Sequence, residues 1–213
     1  AGKCQAAARQ YGVAVPSMAM SGFFAQSFLT RDNYQDLLKD CFQTMKLFGS
    51  KVAFLPLGGS GKDWQQEGCA AYQQMVSRLR TAGEMAKQEG IIIGIRTGMD
   101  AKFDKKLLKK VGSSQIKVYY NFQDAADHHR DICKELRKLG AQRIVQIHAS
   151  NTDSVNLQED PEINFPKIRK TLDKMKWSGW LVVERSRDVK RVRDVKYNFG
   201  RNIAYLKQVF QER

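Results

Sequence analysis

Residues 72–96 read YQQMVSRLRTAGEMAKQEGIIIGIR, a helical pattern followed directly by a strand pattern. The first part, from Tyr72 to Glu89, places apolar side chains at intervals of three and four residues, which is typical of an amphipathic helix. Gly90 then ends the helix, and the apolar run Ile91–Ile95 predicts a strand that is buried on both faces. A helix followed at once by such a strand is the repeating unit of a parallel α/β sheet.

The same unit recurs from one end of the chain to the other. Short apolar runs begin near residues 12, 51, 91, 116, 144 and 180, and amphipathic patterns that end at a glycine or a polar cluster lie between them. This repetition predicts an α/β fold of about six βα units, in which helices connect parallel strands. An open doubly wound sheet and a closed (β/α)8 barrel both satisfy the pattern.

Composition places the chain among folded globular proteins. It has 213 residues, 42% of them hydrophobic, which suits one ordinary domain and excludes disordered and fibrous classes. No apolar run approaches the ~18 residues of a membrane-spanning helix. The four cysteines are scattered without metal-ligand spacing and are interpreted as isolated thiols. The net charge of +14 favours anionic partners, but acids interrupt the basic runs, as on solvated helix faces.

Polar side chains follow four successive apolar runs, where chemistry is expected. They are Arg96, Asn121, His148 and Glu184. Because the carboxyl ends of parallel strands meet at one edge of a sheet, we expect these four side chains to converge on one pocket. A carboxylate directly after a buried run needs a charged partner, a hydrogen-bond donor or a metal. For His148 taken alone, a hydrogen-bonded core histidine is the simpler interpretation.

A glycine-rich loop follows the second apolar run. Residues 58–62 read GGSGK, which resembles part of a phosphate-binding loop. The motif requires a glycine where Pro56 stands and a serine or threonine where Asp63 stands, so we interpret the segment as a glycine loop that borders a pocket. Trp64, beside this loop, is a candidate for stacking on a sugar face, and simple packing is its alternative.

Seven segments together match, in order, the motifs of a known family. They are Val52–Leu57, Gly94–Thr97, Leu107–Ser113, Val118–Phe122, Arg143–His148, Asn164–Lys167 and Gly179–Glu184. On these segments the chain resembles the xylose-isomerase-like TIM-barrel superfamily, in its sugar phosphate isomerase/epimerase branch. The resemblance covers essentially the whole chain and implies a single domain, residues 1–213, of the (β/α)8 TIM-barrel type.

Barrels of this family begin with a strand, a helix and a second strand before the segment that corresponds to Gly12–Met20. We therefore expect a barrel that lacks this first part. Six parallel strands leave sheet edges open, and open edges promote association, so we expect a homo-oligomer. The resemblance also implies a bacterial protein of the cytoplasm or periplasm.

The resemblance implies a divalent metal, manganese or a similar ion, held at four strand ends by a Glu, an Asp, a His and a Glu. Those positions are Arg96, Asn121, His148 and Glu184 here. The implied activity is that of a sugar or sugar phosphate isomerase or epimerase, in which metal and carboxylate move a proton next to a carbonyl. His148, Glu184 and Asn121 are then the candidate metal ligands, and Glu184 and Arg96 are the candidate catalytic residues.

Two departures from the family pattern change the expected chemistry. Arg96 replaces a glutamate by a permanent cation, and Asn121 replaces an aspartate by a neutral amide. A unit charge pair ~4 Å apart contributes about 4 kcal/mol at an effective dielectric constant of ~20, so this loss of negative charge predicts weak or absent metal binding. We expect Arg96 to fill the space of the metal and to pair with Glu184.

Two classes of function remain open at this stage. One is a metal-independent or weakly metal-dependent enzyme, with Arg96 as the electrophile and Glu184 as the base. The other is a noncatalytic sugar-binding or subunit-like relative. DNA binding like that of the apurinic endonucleases of the same superfamily is disfavoured, because three histidines do not supply their zinc cluster.

Residues near the last two strand ends complete the candidate pocket. Asn151 and Asp153, which follow His148, are candidates for hydrogen bonds to substrate hydroxyls. Arg187, with Arg185, is a candidate for binding a phosphate or a hydroxyl. The alternative for the two arginines is that they are solvated loop cations.

Overall fold

The apolar runs of the sequence form the strands of one parallel sheet. A computed structural model describes residues 2–57, 64–151 and 153–212. The strands are β1 (Ser17–Ala19), β2 (Val52–Pro56), β3 (Ile92–Arg96), β4 (Ile116–Asn121), β5 (Ile144–His148) and β6 (Leu181–Val182). They lie in the sheet in chain order. The predicted fold class, α/β with parallel strands joined by helices, is confirmed.

Helices occupy the amphipathic stretches between the strands. They are α1 (Gly2–Gln10), α2 (Gly22–Ala25), α3 (Tyr34–Phe48), α4 (Ala70–Gln88), α5 (Ala101–Val111), α6 (Phe122–Ala126), α7 (Ile132–Leu139), α8 (Phe165–Lys174) and α9 (Val195–Phe210). Short 3-10 helices lie at Ala141–Arg143, Leu157–Glu159 and Val189–Arg191. None of the helices in the described part of the chain is both long and apolar enough to cross a membrane.

The chain divides into two compact units. The first unit comprises Ala1–Thr97 and Asp104–Val118, and the second comprises Gly98–Phe103 and Tyr119–Arg213. Both the assignment of a single domain and the expected homo-oligomer stay predictions.

In the first unit, β1, β2 and β3 pair in parallel, with Ser17 opposite Val52 and Phe54 opposite Gly94. Every residue of β2 is buried, as the unbroken apolar run predicts. The apolar faces of α3 and α4 supply much of the core of this unit. Their fully buried side chains include Leu38, Met45, Met75 and Leu79.

In the second unit, β5 and β6 pair in parallel, with His148 opposite Val182. Strand β6 is shorter than the apolar run that predicts it, and it is the last strand of the sheet. The buried rings of Phe122 and Phe165 meet edge to face at 6.0 Å between centroids. The chain that leaves β5 and β6 at their carboxyl ends carries most of the predicted site residues.

A substitution at Gly83 tests how closely α4 packs in the first unit. A Cβ at this position would lie 2.4 Å from the Ser113 Oγ and 2.7 Å from the Ser113 Cβ, so we expect Gly83→Ala to lower the free energy of unfolding by about 1–3 kcal/mol. Gly200→Ala, in α9, is the matched control, since among the described residues no atom lies within 4 Å of its Cβ position. The control should raise stability by up to about 1 kcal/mol. Equal effects of the two substitutions in urea denaturation would contradict this packing.

Candidate functional site

His148 and Glu184 form a pair at the carboxyl ends of β5 and β6. The His148 Nδ1 lies 3.6 Å from a carboxylate oxygen of Glu184, a distance that allows an ion pair when the imidazole is protonated. The imidazole is buried and packs against the ring of Tyr119 at 4.5 Å between centroids. The Glu184 side chain is 41% exposed. The pair therefore presents an accessible carboxylate in front of a buried imidazole.

Asn121, at the end of β4, has a structural role that the sequence analysis missed. Its Oδ1 accepts a hydrogen bond of 2.8 Å from the backbone N–H of Gln123, so the side chain caps the start of α6. Its buried Nδ2 has no hydrogen-bond partner among residues 2–57, 64–151 and 153–212. The amide oxygen that would contact a metal therefore already accepts one hydrogen bond, from the start of α6.

Two serines connect the loop after β5 to the loop after β6 by hydrogen bonds. The Oγ of Ser150 accepts hydrogen bonds from the backbone N–H groups of Glu184, at 2.8 Å, and of Arg185, at 3.3 Å. In return, the Oγ of Ser186 accepts one from the backbone N–H of Asn151 at 2.9 Å. This reciprocal bonding fixes the backbone of the catalytic candidate Glu184 relative to β5.

Ser186 is the most constrained residue of this loop. It is fully buried and has a φ of 76°. This φ lies in the left-handed region, which is energetically unfavourable for residues other than glycine. Its carbonyl oxygen accepts hydrogen bonds from the Nδ2 of Asn202, at 2.7 Å, and of Asn156, at 3.3 Å. Buried amides thus bind the backbone of the loop at its left-handed residue.

Asn198 extends this amide network, and the sequence carried a signal for it. Its Oδ1 accepts hydrogen bonds from the Nδ2 of Asn156 at 3.0 Å and from the backbone N–H of Asp188 at 2.9 Å. Asn198 and Asn202 stand four residues apart and are buried on the same helix, α9. Two asparagines at this spacing on the inner face of a helix indicate a buried polar network.

The loops after β5 and β6 together form a cluster of charges. The carboxylate of Asp153 accepts two hydrogen bonds from the Arg187 guanidinium, one of them from Nε at 3.0 Å. The Nε of Arg185 lies 3.8 Å from the same carboxylate. The hydrogen bonds from Arg187 hold the pKa of Asp153 below its usual range. The structure thus brings together Asp153 and Arg187, which the sequence predicted separately.

The remaining predicted residues have varied surroundings. The Nδ2 of Asn151 donates a hydrogen bond of 2.8 Å to Glu162. Trp64 is only 3% exposed, which favours packing over stacking on a bound sugar. Arg96 ends β3 opposite Pro56, in the first unit, and its predicted pairing with Glu184 stays a prediction. Residues 58–63, with the glycine loop, lie outside the described residues.

The donor set does not fit a tightly bound divalent metal. His148 and Glu184 supply one imidazole and one carboxylate, and the oxygen of Asn121 caps a helix. Within the described ranges, no three His, Cys, Asp or Glu side chains are grouped so that they could hold an ion. Hard divalent ions require several oxygen ligands, so one carboxylate with one imidazole is a poor site for manganese.

Comparison with known proteins identifies the family. A family model described as a xylose isomerase-like TIM barrel matches residues 2–209. No curated protein matches the chain.

Solved structures of sugar-processing enzymes share the fold. The 3-keto-D-glucoside 4-epimerase from E. coli has a TM-score of 0.78 at 11% identity, over 97% of this chain and 84% of that one. A D-psicose 3-epimerase has a TM-score of 0.78 at 13% identity, over 99% and 83%. A sugar phosphate isomerase/epimerase from Parabacteroides distasonis has a TM-score of 0.74 at 15% identity, over 97% and 74%. At these identities the likeness shows the fold.

The Asp153–Arg187 contact predicts a pH-dependent contribution to stability. Because the pKa of Asp153 is lowered in the folded state, the contribution is complete above the unfolded pKa of about 4 and is lost as pH falls through the folded value. We expect Asp153→Asn to lower the free energy of unfolding by about 1–3 kcal/mol at pH 6, and this loss should shrink progressively as pH falls below about 4. Urea denaturation at a series of pH values measures this difference.

Asp173→Asn is the control, since this aspartate lies on the exposed face of α8 and pairs only at the surface, with Arg169. It should change stability little at any pH. A loss in Asp153→Asn that does not shrink with falling pH would contradict the interpretation.

Proposed function

Since the chain belongs to the xylose isomerase-like TIM barrel family, we propose that it is a sugar isomerase or epimerase in which Glu184 moves a proton next to a carbonyl. The observation that carries the proposal is the accessible Glu184 carboxylate, backed by the buried imidazole of His148. The fold is shared with enzymes named as a 3-keto-D-glucoside 4-epimerase and a D-psicose 3-epimerase, which supports a sugar as the substrate.

Glu184 is suited to act as the base. A general base must reach the substrate, and the carboxylate of Glu184 is exposed enough to do so while its backbone is fixed by Ser150. The carboxylate removes a proton from the carbon next to the carbonyl, and the resulting carboxylic acid returns it to the neighbouring carbon while the hydroxyl proton moves to the former carbonyl oxygen. Epimerisation would require, in addition, a proton donor on the opposite face of the same carbon. One base is sufficient for aldose–ketose isomerisation, since removal and return then occur on one face.

His148 positions the base in this proposal. When protonated, its Nδ1 provides a positive charge 3.6 Å from the Glu184 carboxylate. The contact with Tyr119 fixes the plane of the imidazole, so the carboxylate faces a rigid partner. A rigid partner reduces the orientational freedom that the carboxylate must lose in the transition state.

The negative charge that develops on the carbonyl oxygen also needs a partner. In the proposal Arg96 supplies it, since a guanidinium is a permanent cation with several N–H donors. This assignment comes from its position at the end of β3 and from the family pattern. Since the donor set fits a divalent metal poorly, no step is assigned to one.

Solvent hydrogen exchange tests the proposal directly. The purified chain is incubated in D2O with a panel of ketoses and ketose phosphates, each with and without a chelator, and deuterium next to the carbonyl is measured by NMR. We expect exchange that survives the chelator and falls by about 10²–10⁴-fold in Glu184→Gln. The matched control is Glu159→Gln, which removes an exposed carboxylate paired with Arg201 and should exchange like the parent chain.

Three results would contradict the proposal. Equal rates of hydrogen exchange in Glu184→Gln and in the parent chain would show that Glu184 is not the base. Hydrogen exchange that occurs only with added manganese would show that a metal takes part in the reaction. Sugars that raise the melting temperature without any exchange would instead support the noncatalytic sugar-binding alternative.

A further inference from the structure

We propose that Arg185 and Arg187 bind an anionic group of the substrate, so that the preferred ligand is a sugar that carries a phosphate ester or a carboxylate. This inference rests on the proposed function and specifies the substrate class of the same site. The observation that carries it is the meeting of two guanidiniums on the single carboxylate of Asp153.

The cluster carries more positive charge than the Asp153 carboxylate neutralises. Two guanidiniums and one carboxylate sum to a single positive charge. Arg187 binds Asp153 through two hydrogen bonds, but the Nε of Arg185 stays 3.8 Å away, beyond hydrogen-bond range. The Arg185 side chain is also 50% exposed. Its planar fork of N–H donors matches the geometry of phosphate and carboxylate oxygens.

The backbone between the two arginines is an independent observation. Ser186 stands between them with a φ of 76° and its side chain fully buried. The flanking arginines both reach Asp153 from partly exposed positions. Strained residues that are held by their surroundings are concentrated at functional sites. Here the left-handed residue lies between two cations that approach the same carboxylate.

The cluster lies next to the proposed base. Glu184 and Arg185 are neighbours in the chain, and the Oγ of Ser150 accepts a hydrogen bond from the backbone N–H of each. One hydroxyl therefore fixes the backbone of both. In the proposal, a substrate whose anionic end binds Arg185 places its carbon chain within reach of Glu184. In this arrangement Asp153 orients the arginines by holding Arg187 in place.

Calorimetric titration of the full chain tests the site with three probes at fixed ionic strength. The probes are D-fructose, D-fructose 6-phosphate and D-glucuronate. We expect at least one anionic probe to bind about tenfold or more tightly than fructose, as hydrogen bonds to a charged group predict. The two anionic arms distinguish a phosphate site from a carboxylate site.

Substitutions show which residues produce the preference for anionic probes. Arg185→Gln should lower the affinity for the anionic probe to about the affinity for fructose. Arg185→Lys keeps the charge but lacks the planar set of N–H donors, so it should retain only part of the difference in affinity. Lys190→Gln is the matched control, since it removes an exposed cation of the 3-10 helix Val189–Arg191. It should leave the preference intact. Circular dichroism confirms that each variant is folded.

The outcomes separate this inference from the proposed function. Glu184→Gln should lose exchange but keep the anion preference, because the carboxylate is not part of the anion site. A chain that shows exchange with neutral ketoses but no anion preference would overturn the anion site alone. An equal loss in Lys190→Gln and Arg185→Gln would also overturn it, since the preference would then reflect general positive charge.

Discussion

The buried carbonyl of Ser186 accepts hydrogen bonds from the amides of Asn156 and Asn202, and the geometry of the candidate site depends on this contact. Asn202 lies on α9 and Asn156 follows β5, so elements distant in sequence hold one loop. Loss of a partner would leave a buried polar group unsatisfied, at a cost of about 1–3 kcal/mol. These bonds hold the carbonyl of a residue with a left-handed φ, next to the two arginines that flank it in the chain.

The site combines features of its family with a changed charge balance. His148 and Glu184 stand at strand ends as the family pattern implies, but Asn121 turns its oxygen to a helix. Arg96 adds a permanent positive charge where the family has a glutamate. The likeness in fold to sugar epimerases is therefore accompanied by a second unit in which one imidazole and one carboxylate meet, a poor donor set for a divalent cation.

The sequence predicts those features that depend on periodicity. Strand β2 and helix α4 follow from an unbroken apolar run and from a spacing of three and four residues. His148 and Glu184 also follow, because parallel strands bring their carboxyl ends to one edge. Glycine usually supplies a positive φ, so nothing local predicts that Ser186 adopts one. Contacts between loops, such as that of Asp153 with Arg187, likewise depend on tertiary structure.

A manganese titration shows whether the candidate site binds a divalent metal. The purified chain is titrated with Mn²⁺ in a calorimeter, and its metal content is measured after dialysis. We expect no stoichiometric binding by the parent chain and measurable binding by Arg96→Glu, which places a carboxylate at the end of β3. One tightly held manganese or zinc ion per parent chain would contradict this expectation.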